Sequence, residues 1–216
     1  MALLPVFLRR ALTVTAVFSA LGFAGAHSAQ AEIVVSGSNA VVCPPLQAWC
    51  EHHIPRMFQP KTRVSVRNLS DRQMAAYLAG DQNAVEPDQD PKSSHTSGGD
   101  DDDIDGIYEN GPPRITLRIP KSGAVDMMTF THEYGHYVWF NLISKNDRNR
   151  YEKIYKRQGA ANHLVTRYAA TDLEEGFAEA FSFYVNQPQL LERRDSASND
   201  FFRGLLNAPQ TQDNDR

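Results

Sequence analysis

The sequence predicts an α+β domain: a small sheet packed on one central helix, followed by a C-terminal helical part. Three observations carry that expectation. Val64 and Val66, and later Ile115, Leu117 and Ile119, alternate with polar residues over short stretches, the period of half-buried strands. No proline interrupts the chain between Gly123 and Ser144, and Val125, Met128, Tyr137 and Trp139 recur there at helical spacing. Beyond Ser144 the sequence reads first as a charged helix and then as a more apolar one.

Taken in order, residues 1–31 read as a secretory signal peptide. Arg9 and Arg10 form a positive start, 11–26 an apolar run with small residues, and Ala29-Gln30-Ala31 an A-x-A cleavage site. The run is short for a membrane span, so cleavage after Ala31 is expected rather than a retained anchor. The remainder, 32–216, is then a single domain of about 185 residues, secreted or periplasmic and free of the membrane. Removing Arg9 and Arg10 lowers the 22 basic residues to about 20 against 26 acidic ones, which argues against nucleic acid as a partner.

Cys43 and Cys50 are the two cysteines of the chain. In an oxidising compartment they are expected to pair, joining the Pro44-Pro45 turn to the helix that follows. A Cys/His metal site with His52 and His53 is the alternative, but it lacks a second cysteine pair, so both histidines read as surface side chains. Residues 46–58 form a helix pattern ended by Pro60, and 63–69 a half-exposed strand. Ser70 reads as the N-cap of a short helix through Leu78 that stops at Gly80.

Residues 81–103 are rich in Asp, Pro, Ser and Gly and read as a mobile acidic surface loop. Asp101-x-Asp103-x-Asp105-Gly106 begins like a calcium loop, but Pro112 stands where the twelfth-position glutamate belongs, and a solvated acidic run accounts for it better. Ile107-Tyr108 and the stretch 114–119 then read as two strands around Asn110-Gly111-Pro112-Pro113. The second of these strands, begun by Arg114 and closed by Ile119, is a candidate to pair with an extended peptide substrate through its backbone.

The central helix contains His132-Glu133-Tyr134-Gly135-His136. Helix positions four apart stack on one face, so His132 and His136 can offer nitrogens to one metal ion, with Glu133 near enough to reach a water beside it. That set suits zinc-assisted hydrolysis once a third ligand is added. The alternative is a chance match, yet histidines and a glutamate on so apolar a helix need partners to offset desolvation. Gly135 costs about 1 kcal/mol relative to Ala within a helix and calls for a close backbone approach.

The second informative stretch runs from Tyr168 to Phe181. Thr171 followed by Glu174 has the spacing of a capping box, which assigns Glu174 to the helix start. Glu175 and Glu179 are left four apart on one face, as a third zinc ligand and a carboxylate orienting a ligand would require. Two solvated glutamates are the alternative.

Together, His132-Glu133-Tyr134-Gly135-His136, Tyr168 seven residues before Glu175, and Phe177-Ala178-Glu179-Ala180-Phe181 resemble the catalytic domain of anthrax lethal factor and the Pro-Pro endopeptidases, secreted gluzincin zinc proteases. The resemblance spans about 107–185. It implies a zincin-like metallopeptidase fold, Zn2+ held by His132, His136 and Glu175, Glu133 as base, Tyr168 as oxyanion donor, and Glu179 behind the ligands. The family's proline preference is not carried over, because no substrate-binding residue is matched. His163, near Tyr168, reads as a solvated loop histidine. The resulting expectation is an exported zinc endopeptidase. A secreted zinc-binding module without turnover, an adhesin or inhibitor, is the rival, though binding zinc alone requires neither Glu133 nor Tyr168.

Overall fold

A computed structural model describes residues 32–37, 46–80, 104–119 and 125–208. The expected signal segment, Cys43, the acidic stretch 81–103 and the first two aspartates of the calcium-like run lie outside the described residues. The fold is mixed α+β. Its sheet holds β1 (Ile33–Gly37), β2 (Val64–Leu69), β3 (Gly106–Asn110) and β4 (Pro113–Arg118) in the order β1-β2-β4-β3. The first three in that order run parallel, and β3 returns antiparallel to β4 across the Asn110–Pro113 turn.

Ile115, Leu117 and Ile119 are buried, as their alternation predicts, and Thr116 is buried too because β4 is an interior strand. That interior position corrects one expectation. Both edges of β4 are hydrogen-bonded, to β2 and to β3, so the strand from Arg114 toward Ile119 has no free backbone for a peptide. The outer edge beyond it belongs to β3. Asp105, the described member of the acidic run, faces Arg118 at 3.8 Å. β1 was not anticipated: five residues carry too little periodicity, and its pairing of Val35 with Val66 is long-range.

The expected helix over 46–58 is divided. Helix α1 (Leu46–His53) ends before Pro55, which lacks an N–H and adopts an extended ψ of 142°, and a 3-10 turn (Arg56–Phe58) follows. Helix α2 (Asp71–Leu78) starts at Ser70 in a reciprocal capping box with Gln73 and gives way to Gly80 at φ +90°. Cys50 of α1 is a free, buried thiol, so the expected Cys43–Cys50 disulfide is not present. Burial, reinforced by neighbouring Glu51, pushes this thiol up to about 12. His52 and His53 are exposed, His53 stacking on Trp49.

Helix α3 (Met127–Asn141) starts at Asp126, whose carboxylate accepts from Met128 N–H. It is buried nearly all round. Tyr134 donates to the Phe58 carbonyl at 2.8 Å, and Tyr137 accepts from Lys61 N–H at 3.1 Å, so two phenols tie its rear face to the α1 region. Behind it lie α4 (Lys145–Ala160), α5 (Leu173–Asn186), α6 (Pro188–Arg194) and α7 (Ser196–Asn207). Trp139, Tyr151, Phe177, Phe181, Phe201 and Phe202 form one aromatic core among them. No helix among the described residues is long and apolar enough to cross a membrane.

The α3–α5 crossing positions everything that follows. A Cβ on Gly135 would sit 2.8 Å from the Ala178 Cα, which is the close approach expected of a glycine there. One turn away, Thr131 and Ser182 hydroxyls meet at 2.9 Å, Ser182 donates to the Met128 carbonyl, and Asn186 donates to Thr131. The polar staple fixes the rotation of one helix against the other. Gly135→Val is therefore expected to lower stability by about 1–3 kcal/mol through overpacking and to weaken metal uptake as the helices separate. A thermal melt and metal content on the purified variant would check both effects together.

Candidate metal centre

His132 and His136 project from successive turns of α3, and Glu175 comes to them from the first turn of α5. Glu175 Oε2 lies 3.0 Å from His132 Nε2, and Oε1 lies 3.5 Å from His136 Nε2. One donor atom from each residue falls within 4.8 Å of the others, so a single ion can be shared among the three. Glu175 Oε2 is buried and makes no hydrogen bond, an unsatisfied acceptor that a cation would satisfy. Two imidazole nitrogens and one carboxylate oxygen are a donor set suited to a divalent transition metal with a position left open. The residues present therefore fit a metal ion.

The electrostatics point the same way. Burial disfavours a charged His132, yet contact with Glu175 and Glu179 outweighs it and raises the imidazole to about 10 without a metal. Burial works against the Glu175 charge, yet the adjacent His132 and His136 hold this carboxyl well below the usual carboxylate range. On the other ring nitrogen, His132 Nδ1 lies 3.0 Å from Glu179 Oε1. A carboxylate only accepts, so Nδ1 carries a hydrogen, which leaves Nε2, beside Glu175, as the nitrogen available to a metal.

Glu133 is buried beside this set. Burial raises its pKa, aided by the charge of Glu175 and opposed by the two histidines. Its side chain lies against the start of β3: a Cβ on Gly106 would stand 2.6 Å from Glu133 Oε1. Gly106 thus leaves room for the carboxylate at the sheet edge. Tyr168, on a 3-10 turn (Tyr168–Ala170), is 53% exposed with its ring 5.7 Å from that of His132. Partial burial and the negative Glu175 push its phenol up to about 12, so it keeps its proton at neutral pH and is able to donate. Tyr108 of β3 stacks between His136 and Phe140 and is held through its hydroxyl by Asn141.

His132, Glu133, His136, Tyr168, Glu175 and Glu179 thus lie near one another, and one helix start is corrected. Asp172, not Thr171, is the N-cap of α5: its Oδ1 accepts from both Glu174 and Glu175 N–H. Thr171 instead donates to the Tyr168 carbonyl. The helix starts one residue later than the capping-box spacing suggested, because an aspartate directly follows the threonine and caps better. Glu174 still points to solvent, away from the ligands. His163 is exposed. Gly106, Asp172 and Thr166 were not singled out. The first had been absorbed in an acidic run, and the other two become visible only through their partners.

The sequence matches no known protein family and no curated protein. Among solved structures, the chain is similar to a Pro-Pro endopeptidase from Paenibacillus alvei, with a TM-score of 0.47 and 17% identity over 80% of this chain and 96% of that one.

Proposed function

We propose that this chain is an exported, zinc-dependent endopeptidase. The observation that carries the reading is the placement of buried Glu133 beside the His132–His136–Glu175 set, with the protonated Tyr168 next to His132 and Glu175. A metal bound by those three residues would supply Lewis acidity, polarising a carbonyl and making a water acidic enough to attack. Glu133, with its raised basicity, takes the proton of the attacking water and returns it to the leaving amine. Tyr168 donates its hydroxyl hydrogen to the oxygen that becomes negative as the peptide carbonyl turns tetrahedral. An extended peptide is accommodated along the outer edge of β3, next to Gly106 and Tyr108, where no described strand competes for its hydrogen bonds. Export rests on Arg9, Arg10 and Ala29-Gln30-Ala31.

A zinc-binding module without turnover would need the three ligands and Glu179, but has no use for a buried free carboxylate at Glu133. Digestion of an unbiased peptide library separates the two readings. Cleavage should disappear with a chelator and return with added zinc. A chain that binds zinc stoichiometrically and cleaves nothing would overturn the peptidase reading in favour of the module.

A further inference from the structure

We infer that Thr166 is a positioning residue that couples the Tyr168 turn to the metal ligand His132; the inference rests on the zinc reading of that site. Thr166 belongs to no motif and touches neither the ligand set nor Glu133. Its hydroxyl nevertheless makes two bonds of opposite sense. Oγ1 donates to Glu179 Oε2 at 2.7 Å and accepts from the Ala169 N–H at 3.0 Å. The other oxygen of the same carboxylate, Glu179 Oε1, takes the His132 Nδ1 hydrogen.

The result is one directed chain: Ala169 N–H to Thr166, Thr166 O–H to Glu179, and His132 Nδ1–H to Glu179 from the opposite end. Two consequences follow. Glu179 is held at both oxygens, so its carboxylate plane and the ring of His132 cannot turn independently. That keeps the Nε2 lone pair aimed at the shared position. Ala169 follows Tyr168 in the same 3-10 turn, so the hydroxyl that steadies the ligand also anchors the backbone of the oxyanion donor. The side chain of half-exposed Tyr168 is held apart from this, its ring against His132 and its hydroxyl beside Glu175, while its carbonyl accepts from Thr171. One threonine thereby links the backbone beside Tyr168 to the carboxylate that orients His132, two partners of the reaction on different elements.

Thr166→Val keeps the shape and removes both bonds, and Thr166→Ser keeps both bonds while dropping the methyl. Zinc affinity by competition with a chromogenic chelator is read alongside kcat and KM on a cleaved peptide. Thr166→Val is expected to bind zinc about 10–100-fold more weakly. With saturating zinc it should still lose kcat while KM changes little, and Thr166→Ser should restore both. Wild-type zinc affinity and kcat in Thr166→Val would overturn the inference. So would a Thr166→Ser variant as impaired as the valine, since that assigns the effect to the methyl's packing. Wild-type protein that takes up no zinc would overturn the underlying reading itself, a result distinct from either variant outcome.

Discussion

Glu133→Gln is expected to hold its metal and lose about 10²–10⁴-fold in peptide hydrolysis. The amide has the shape of the carboxylate and fits the same space against Gly106, but it cannot accept a proton from the attacking water. Glu133 is not among the three residues whose donor atoms converge, so metal content should stay at the wild-type level. Stability should not fall either. Burial makes the Glu133 charge costly, as its raised pKa records, and a neutral amide removes that cost. Elemental analysis, a thermal melt and turnover on one preparation test all three statements. Near-wild-type turnover would remove Glu133 from its role as base.

The three glutamates of α5 are expected to separate cleanly by their direction around the helix. Glu175→Ala deletes the oxygen donor that sits 3.0 Å from His132 Nε2 and 3.5 Å from His136 Nε2, so tight metal binding and activity should vanish together. Glu174 lies about 100° away around the axis and faces solvent. Its contribution is a negative charge in the first turn of the helix, and Glu174→Ala should cost no more than about 0.3–1 kcal/mol and leave the metal in place. Glu179→Ala should fall between, with metal affinity about 10–100-fold weaker because His132 loses its orienting acceptor. Metal loss in the Glu174 variant with retention in the Glu175 variant would reverse the assignment.

Much of this site was legible along the chain because its parts are local. His132 and His136 are four residues apart, and helical geometry alone stacks them. The same holds for Glu175 and Glu179, which approach His132 from opposite ring nitrogens. Gly135 announced a close contact through its cost within a helix, and the contact is the Ala178 backbone. Ser70 formed the N-cap expected of it, in a reciprocal box with Gln73. Thr171 with Glu174 did not. A capping signature competes with its neighbours, and Asp172 took both N–H groups.

What the sequence determined by itself was the α+β class, the two helices that bear the ligands, and which side chains on each share a face. These follow from periods of two and 3.6 residues, which are properties of the backbone. Only the tertiary structure decided how the pieces meet. The 43-residue gap from His132 to Glu175 is closed by the Gly135–Ala178 crossing and the Thr131–Ser182 staple, contacts with no local period. The strand order likewise left β4 enclosed and made β3 an edge among the described strands, since alternation tells which face of a strand is buried but not which edge is covered. Thr166 is the extreme case: a threonine in a loop acquires its meaning from a carboxylate 13 residues on and an amide three residues on, joined only once the loop has packed on α5.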